Sequence, residues 1–476
     1  MKYFIHLALC CLFFFQWITS SAQQIISLDV LGEESKEALT TRFSFPAQNG
    51  IRTHKIMYLT TGIDNLPDTA SGLFVLPTDG AIKGIIAYQH GTTDGPDDVP
   101  SNLNGGAALP IAYGGQGFAV CAADYLGLGD SRGFHPYLHA ATEARAGIDM
   151  LLASIEVAAA EETFFTNIFV AGYSQGGHAA MALAQAIQER ETDDLWLTAA
   201  APMSGPYDLS GVMTDLVLTD SSYSFVAYMI YVVMGYQEVY GNLYNDISDI
   251  IRPQFLEDVL SFRDDEIGLF ELNDLLIEQL VLDFGASIPS KLFSEEFIEA
   301  FTNDSTFALN VALKENDTYR WIPDMPMRLF YCTADEQVPF MNSLVAEAYM
   351  NENGAMDVQA FNLNSAASHA ECALPAFLSS TIFFTSFVLT DVTFSESQDK
   401  TLKVGPIPSQ GLLHLHSTPS QHVRLVNIFD GMGLLVNSIP YSGQKALDLS
   451  HLSNGVYYIM YDFGEHHLTT KFIIHK

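Results

Sequence analysis

The stretch Gly172-Tyr173-Ser174-Gln175-Gly176 carries the strongest structural signal in the chain. The apolar run over residues 167–171 predicts a buried strand before it, and the Ala-rich run over residues 177–187 predicts a helix after it. A serine flanked by glycines between a strand and a helix is typical of a nucleophile elbow, in which a tight turn exposes the hydroxyl above the sheet edge. Ser174 is therefore the candidate nucleophile. The alternative is a glycine-rich turn with an incidental serine.

Apolar segments on both sides of this turn predict an α/β sheet. Where strands alternate with helices, the crossovers are right-handed and the sheet is mostly parallel, with ligands bound at the carboxyl ends of its strands. Helices are predicted over residues 142–160 and near residues 375–388, and residues 54–60 and 72–77 are predicted to form an antiparallel pair. The further predicted strands are residues 83–91, 118–124, 197–204, 327–332 and 358–363.

Asp335 and His369 are the candidate partners of the serine. Each follows a predicted strand, and the order Ser, Asp, His is the one known for proteins with a nucleophile elbow. In this arrangement His369 takes the Ser174 proton and returns it to the leaving group, while Asp335 fixes the imidazole tautomer and stabilises the imidazolium. Asp208, after the preceding strand, is the alternative acid, and Glu336 is expected to be solvated.

Two backbone N–H groups are expected to form an oxyanion hole. One belongs to Gln175, where the dipole of the elbow helix adds to its effect, and the other is expected from the loop at Thr92. His90 lies just before this loop, and a bracing role through hydrogen bonds is favoured over a role as base because it precedes the nucleophile in the chain. His178, one turn into the elbow helix, is expected to pack against a polar neighbour.

The segment of about residues 208–325 interrupts the alternation of strands and helices and is expected to form a helical cap over the strand ends. Residues 221–240 within it have an unusual density of aromatic and apolar side chains. These side chains either line an acyl pocket next to Ser174 or form the hydrophobic core of the cap itself, and both interpretations stay open.

The chain is expected to be exported. Lys2, an apolar run over residues 4–18 and small residues up to Ala22 predict a signal peptide of residues 1–22, with a transmembrane anchor as the alternative. The 476 residues are 48% hydrophobic and 16% charged, as in globular proteins with a large core, and the formal net charge is −35. Such an acidic surface repels phosphate backbones and anionic membranes, so nucleic acid is not an expected partner.

Three cysteines, Cys121, Cys332 and Cys372, remain after removal of the predicted signal peptide. They are too few for a disulfide scaffold, so the hydrophobic core must stabilise the protein. Cys332 and Cys372 lie beside the candidate acid and base, respectively. In an exported protein a disulfide bond between them and a pair of free thiols are equally open possibilities.

The composition changes from about residue 394 onwards. Residues 395–400 form a polar linker, and short segments of alternating hydrophobicity with glycine turns follow it. This pattern predicts a small antiparallel β-module. Its predicted strands are residues 412–416, 423–429, 434–436 and 456–460.

Residues 50–390 resemble the α/β-hydrolase superfamily and, within it, the secretory lipase family and neighbouring exported esterases. The resemblance implies a mostly parallel sheet flanked by helices, hydrolysis of carboxylic esters through an acyl-enzyme, and no cofactor or metal ion. It rests on His90-Gly91-Thr92, residues 123–129 (Ala-Asp-Tyr-Leu-Gly-Leu-Gly), His135-Pro136-Tyr137-Leu138, residues 172–180, residues 335–339 and His369.

The C-terminal module is similar to the sorting domain of type IX secretion. The resemblance implies passage across an outer membrane through the type IX machinery, removal of the module, and a released or surface-anchored protein. An accessory β-sandwich that binds carbohydrate is the alternative, but the sequence offers no aromatic platform in its support. The matching stretches are residues 426–431, 447–450, 454–458 and 471–476.

Together, these features predict a signal peptide (1–22), an α/β-hydrolase domain (23–393) and a C-terminal sorting domain (394–476). The predicted function is a secreted serine hydrolase that acts on a small-molecule or lipid ester. A serine peptidase of the same fold and a catalytically inactive binding protein are the alternatives, because fold alone does not determine function.

Overall fold

A computed structural model describes residues 25–163, 165–190, 195–388, 404–405, 409–415, 425–430, 435–441, 443–462, 467–474 and 476. The chain divides into two compact units, and the boundary between them in the sequence falls between residues 388 and 389. The predicted signal peptide, residues 1–22, and the predicted linker, residues 395–400, lie outside the described residues. The domain boundaries drawn from the sequence stay predictions.

The larger unit is organised around a mixed sheet, which has nine strands among the described residues. The strands are β1 (Ile25–Glu34), β2 (Ile51–Thr61), β3 (Pro67–Pro77), β4 (Ile85–Gln89), β5 (Ala119–Ala123), β6 (Ile168–Tyr173), β7 (Ala199–Met203), β8 (Met327–Cys332) and β9 (Val358–Asn364). Their order across the sheet is β1-β2-β3-β5-β4-β6-β7-β8-β9. The pairs from β1 to β5 are antiparallel, and β5, β4, β6, β7, β8 and β9 run parallel. The prediction of a mostly parallel α/β sheet is confirmed.

Helices cover both faces of this sheet and form the cap. The helices in the described residues are α1 (Lys36–Phe43), α2 (Ala108–Gly115), α3 (Ala140–Ala160), α4 (Gln175–Gln188), α5 (Thr214–Leu218), α6 (Ala227–Tyr240), α7 (Leu256–Arg263), α8 (Leu269–Phe284), α9 (Glu295–Asn303), α10 (Ala308–Glu315), α11 (Met341–Glu352) and α12 (His369–Thr385). Helices α1, α2 and α12 pack against one face, and α3, α4 and α11 pack against the other.

The central strands are apolar throughout because both of their faces are covered. In β6, Phe169 stacks against Phe384 of α12, whereas the next residue, Val170, packs in the cluster that includes α3 and α4. Successive side chains of a strand point to opposite faces, so a strand covered on both sides has no polar alternation. Full burial of one such side chain contributes roughly 1.5–3 kcal/mol.

Three elements of this unit have no clear signal in the sequence: β1, α1 and α2. Strand β1 lies at the edge of the sheet, none of its residues is buried, and its register against β2 shifts twice. The shifts interrupt the two-residue alternation by which strands are recognised in a sequence.

The segment between β7 and β8 forms helices α5 to α10, in agreement with the predicted helical cap. The cap has a hydrophobic cluster of its own, in which Phe255, Leu276 and Phe293 are fully buried. Other apolar cap residues line a cavity next to the elbow. The apolar cap residues therefore form a core, and some of them, such as Val232 and Phe301, also line the cavity. Binding of an acyl group there stays a prediction.

The smaller unit consists of short antiparallel strands. They are β10 (Val404–Gly405), β11 (Leu412–Leu415), β12 (Leu425–Asp430), β13 (Leu435–Pro440), β14 (Ala446–Asp448), β15 (Gly455–Asp462) and β16 (His467–Ile474). They form one sheet in the order β10-β11-β14 and another in the order β13-β12-β15-β16. Their core includes Val426, Ile428, Ile459 and Phe472. The predicted β-module is confirmed, and its four predicted strands correspond to β11, β12, β13 and β15.

None of the helices in the described part of the chain combines the length and the apolar character needed to cross a membrane.

Candidate active site

The turn between β6 and α4 has the geometry of a nucleophile elbow. Ser174 is the N-cap residue of α4 and has φ 63°, a left-handed conformation that is strained for a residue with a side chain. Both glycines are required because backbone carbonyl oxygens lie too close to each of them to leave room for a Cβ atom. A Cβ atom at Gly172 would overlap the carbonyl oxygen of Gly176, and one at Gly176 would overlap the carbonyl oxygen of Gln89 in β4. The glycines therefore allow the chain to turn and leave the Ser174 side chain partly exposed.

The structure brings Ser174, His369 and Asp335 together in one hydrogen-bonded chain. His369 Nε2 lies 2.8 Å from Ser174 Oγ, and His369 Nδ1 lies 2.7 Å from Asp335 Oδ2. The other carboxylate oxygen of Asp335 accepts the N–H groups of Gln337 and Val338, at 3.0 and 2.8 Å. Because only 1% of the Asp335 side chain is exposed, these hydrogen bonds replace the water that a carboxylate otherwise requires.

The backbone of His369 is also held by side chains on both sides. Its N–H donates to Glu336 Oε2 at 3.0 Å, and its carbonyl accepts the Tyr173 hydroxyl at 2.5 Å. Glu336 is exposed, as predicted, but its hydrogen bond to the backbone of the candidate base has no signal in the sequence. All four polar groups of His369 therefore have defined partners.

Helix α12 begins at His369, whereas the sequence suggested a helix from about residue 375. Pro375 is favoured at the first turn of a helix and so suggested a start there. The start is instead set by a capping box, in which Ser368 Oγ accepts the N–H of Glu371 and the Glu371 carboxylate accepts the N–H of Ser368. The pattern Ser-x-x-Glu at residues 368–371 is the sequence signal that identifies this start.

A disulfide bond joins the segments that carry the candidate acid and base. It links Cys332, the last residue of β8, to Cys372 in the first turn of α12. Of the two possibilities left by the sequence, the structure contains the bonded pair. Cys121 is the free cysteine of the described residues, and burial raises the pKa of its thiol to about 12.

The other polar residues considered from the sequence have structural partners. Asp208 accepts the N–H groups of Gly211 and Val212 and so caps a short helical turn, whereas Asp335 is the carboxylate bonded to His369. His90 is fully buried; its ring nitrogens contact the carbonyl oxygens of Gly91 and Asp124. These contacts agree with a bracing role.

The expected packing of His178 against a polar neighbour is confirmed. Its Nδ1 lies 2.7 Å from Glu143 Oε2, and both side chains are fully buried. His178 Nε2 lies 2.9 Å from the carbonyl oxygen of Asn316, just beyond the last cap helix.

The two segments expected to supply the oxyanion donors lie next to the elbow. Gln175 is the first residue of α4, where a backbone N–H has no acceptor within the helix. The loop at Gly91 and Thr92 is close to the serine, because a Cβ atom at Gly91 would lie 3.5 Å from the Ser174 Cβ. The Thr92 hydroxyl is 2.7 Å from the hydroxyl of Tyr137, so this side chain also fixes the loop.

His135 is a neutral imidazole behind the elbow. Its Nδ1 is 2.8 Å from the carbonyl oxygen of Leu126 and therefore carries the hydrogen, which leaves Nε2 to accept the side-chain N–H of Gln175 at 2.8 Å. Burial lowers the pKa of His135 to about 4, because a charged ring would lose its hydration there.

An apolar cavity adjoins Ser174 on the cap side. It comprises about 670 Å³ of space between the atoms, a volume that includes open solvent at its mouth. Its walls combine residues of the elbow with apolar side chains of the cap. They include Gln175, Leu209, Met213, Val217, Met229, Val232, Phe301 and Leu313.

Solved structures with the same arrangement of strands and helices identify the fold of the larger unit. The rice cell wall degrading esterase LipA from Xanthomonas oryzae aligns with a TM-score of 0.67 and 24% identity, over 77% of this chain and 97% of that one. The chain has the α/β-hydrolase fold. None of the curated proteins matches this chain.

Two further solved structures are similar to this chain. A protein from Legionella pneumophila, provisionally described as a hydrolase, has a TM-score of 0.69 and 25% identity, over 79% of this chain and all of that one. Candida antarctica lipase A in its closed state has a TM-score of 0.56 and 15% identity, over 76% of this chain and 83% of that one. The chain is thus similar in structure to esterases and lipases.

Residues 403–475 match the family described as the secretion system C-terminal sorting domain. The match coincides with the smaller, antiparallel unit and confirms the predicted sorting domain. Such a domain implies an interaction with the type IX secretion machinery, and the protein is therefore secreted or located at the cell surface.

Loss of the disulfide bond is expected to lower stability. The bond closes a loop between residues 40 positions apart, so replacing both Cys332 and Cys372 by serine should reduce the free energy of unfolding by about 4 kcal/mol. Urea denaturation of the wild type and the double variant measures this difference. Mass spectrometry of unreduced peptides is the direct check, and free thiols at both positions would show that the bond is absent.

Acid is expected to destabilise the protein partly through His135. The unfolded imidazole has a pKa near 6.5 and the folded one about 4, so between these values the unfolded state binds more protons and stability falls as the pH falls. His135→Gln has no titratable ring and should lose less stability than the wild type between pH 7 and pH 4, by on the order of 3 kcal/mol. Urea denaturation at several pH values tests this, and parallel curves for the two proteins would contradict it.

Proposed function

We propose that the protein is an exported serine hydrolase that cleaves carboxylic esters through an acyl-enzyme. The supporting observation is the hydrogen-bonded chain from Ser174 through His369 to Asp335, with distances of 2.8 and 2.7 Å. A base at this distance activates a serine hydroxyl, which is otherwise a weak nucleophile. Esterase and lipase are also the activities named for the similar structures from Xanthomonas and Candida.

Acylation begins at the Ser174 hydroxyl. His369 Nε2 takes the hydroxyl proton as Oγ bonds to the ester carbonyl carbon, and the carbonyl becomes a tetrahedral oxyanion. The imidazolium is stabilised by the Asp335 carboxylate and gives its proton to the leaving alkoxide. The carbon–oxygen bond breaks, an alcohol departs and the acyl group stays on Ser174.

Deacylation repeats the sequence with water. His369 takes a proton from water while the oxygen of the water bonds to the acyl carbon, and a second tetrahedral oxyanion forms. The imidazolium then returns its proton to Ser174 Oγ as the acyl–oxygen bond breaks. The products are a carboxylic acid and the free serine.

The backbone N–H groups of Gln175 and Thr92 are the proposed donors to both oxyanions. Gln175 begins α4, so the positive end of the helix dipole lies at the same place. Fixed donors of this kind contribute more to a developing negative charge than to the neutral ester, and this difference accelerates the reaction.

The cavity beside Ser174 favours a substrate with an apolar acyl group. Its walls are almost wholly aliphatic and aromatic, and the reacting serine lies in one wall. Burial of each methylene of an acyl chain in such a pocket is favourable by about 0.8 kcal/mol. The C-terminal sorting domain would direct this activity to the cell exterior and be removed during export.

Substitution of the nucleophile tests the proposal directly. Ser174→Ala should fold normally and lose ester turnover by a factor on the order of 10⁴ or more, because the acyl-enzyme cannot form. Turnover of p-nitrophenyl butanoate by the mature chain measures this loss. Ser154→Ala, at a buried serine in the C-terminal half of α3, is the matched control and should keep its activity. Full activity in Ser174→Ala would refute the mechanism.

The size of the cavity should determine the preferred acyl length. Val232 of α6 lines the cavity, so Val232→Phe should lower kcat/KM for a decanoate ester relative to an acetate ester by roughly tenfold or more, and Val232→Ala should shift the ratio in the opposite direction. A series of p-nitrophenyl esters measures both ratios. Unchanged ratios in both variants would mean that the acyl group binds elsewhere.

A parallel amide series separates the ester hydrolase from a serine peptidase. The same catalytic residues serve both reactions, so the two differ in the substrate that is turned over. Turnover of peptide amides without turnover of esters would replace the proposed function by the peptidase.

A further inference from the structure

A buried carboxylate lies behind the candidate oxyanion site and has no part in the proposed chemistry. Glu143 of α3 is 1% exposed, and its side chain points at the first turn of α4. Burial of a carboxylate is costly unless hydrogen bonds and charge compensate for it. The contacts of Glu143 must therefore compensate for the burial of its carboxylate.

Glu143 binds two residues of the elbow helix at once. Its Oε1 accepts the side-chain N–H of Gln175 at 3.1 Å, and its Oε2 is 2.7 Å from His178 Nδ1. Gln175 and His178 are three positions apart and so lie on the same side of α4. The carboxylate also lies near the positive end of the α4 dipole, which favours its charge.

The hydrogens of this network can be assigned without conflict. The Gln175 side-chain amide has two N–H groups and two acceptors, Glu143 Oε1 and His135 Nε2. His178 Nε2 must carry a hydrogen because its partner is the carbonyl oxygen of Asn316. One further proton lies between His178 Nδ1 and Glu143. The side chain of Gln175 is thus held from two sides, and its backbone N–H, at the first position of α4, has no acceptor within the helix.

The second proposed donor, Thr92, is held by a residue of the same segment, residues 135–143. Tyr137, two residues after His135, places its hydroxyl 2.7 Å from the Thr92 hydroxyl. The Tyr137 ring is itself fixed by stacking on Tyr231 of α6, with ring centroids 4.4 Å apart. The two donors come from different strand ends, and residues 135–143 contact the side chains of both.

We infer that residues 135–143 position the two oxyanion donors, the backbone N–H groups of Gln175 and Thr92. Glu143 and His135 act through the Gln175 side chain, and Tyr137 acts through the Thr92 side chain. These are positioning residues, because none of the contacts described involves a reacting atom. The role rests on the proposed function, since it requires an oxyanion. Donors must lie 2.7–3.1 Å from that oxygen, and a misplacement of about 1 Å can cost as much as 10²-fold in rate.

Substitutions at Glu143 and Gln175 test the first contact. Glu143→Leu should lower kcat for p-nitrophenyl butanoate by roughly 10- to 100-fold with little change in KM, because the donor moves while the acyl pocket is unaltered. The affinity for a trifluoromethyl ketone, which forms an oxyanion on the serine, should fall by a similar factor. Rates are expressed per active site, counted by titration with a fluorophosphonate.

Glu143→Gln is the conservative rescue. Its amide oxygen can accept from Gln175 and its amide N–H can donate to His178 Nδ1, so kcat should stay within about threefold of the wild type. Gln175→Ala keeps the backbone donor and removes its side-chain anchor. Because the Gln175 side chain also lines the cavity, this variant is compared with Glu143→Leu through kcat and the affinity for the trifluoromethyl ketone, which should fall alike in both. The double variant should be little worse than either single one, because both remove the same contact.

Tyr137→Phe tests the second contact and should lower kcat by roughly tenfold, again with weaker binding of the trifluoromethyl ketone. Tyr113→Phe is the matched control: it removes a buried hydroxyl that bonds Ser380 in the core, so it should lower the melting temperature and leave kcat unchanged. If Glu143→Leu does not fold, Gln175→Ala and Tyr137→Phe carry the test.

Wild-type kcat per active site in Gln175→Ala and Tyr137→Phe would overturn the inference, as would effects of Glu143→Leu and Gln175→Ala that multiply in the double variant. These outcomes are distinct from failure of the proposed function. Activity that survives Ser174→Ala refutes the function itself. Activity that requires Ser174 but is unchanged in Tyr137→Phe and Gln175→Ala refutes only the positioning role.

Discussion

The hydrogen bond between Ser174 Oγ and His369 Nε2 joins residues that are 195 positions apart in the sequence. Each partner is held in a constrained position at the start of a helix, Ser174 by a left-handed backbone conformation and His369 by the capping box of α12. The capping box stabilises the start of α12, whereas the positive φ of Ser174 costs free energy. The packed sheet compensates for that strain, because β6 and α12 share one hydrophobic face through Phe169 and Phe384.

The polar groups beneath this hydrogen bond follow one rule: each buried charge is matched by defined donors. The Asp335 carboxylate accepts two backbone N–H groups and the His369 ring, and the Glu143 carboxylate meets the side chains of Gln175 and His178. Groups of this kind leave few alternative arrangements, because any rearrangement would bury an unpaired polar atom. The hydrogen bonds that allow these polar residues to be buried therefore also hold them in one arrangement.

Local patterns in the sequence were sufficient for strands β2 to β9, the elbow and the order of the candidate catalytic residues. The glycines at 172 and 176, the apolar strands and the loops that carry Asp335 and His369 are recognised from neighbouring residues alone. The contacts of Glu143 could not be predicted in this way, because it lies within a helix whose small and apolar residues dominate the pattern. Its partners come from α4, and only the packing of the two helices brings them together.

Two other features had a local signal that a competing signal obscured. Pro375 favours a helix start at its own position, whereas the capping box at Ser368 and Glu371 sets an earlier start. In β1, register shifts interrupted the alternation of an exposed edge strand. The sequence is thus most informative where one pattern operates alone, and least informative where an element depends on distant partners or where two patterns overlap.

The cap contributes more than the walls of the cavity, because it is bonded to the loops around the elbow. The hydroxyls of Tyr223 and Tyr228 bond the backbone and side chain of Gln337, in the loop that carries the candidate acid. On the other side, Asp94, two residues after the proposed donor Thr92, accepts the N–H of Phe270 at the start of α8. The helices that enclose the cavity therefore also fix the loops on either side of the serine. The same cap helices thus contact both the cavity and these loops, so under the proposed function selectivity for the acyl group and the geometry of the site depend on the same elements.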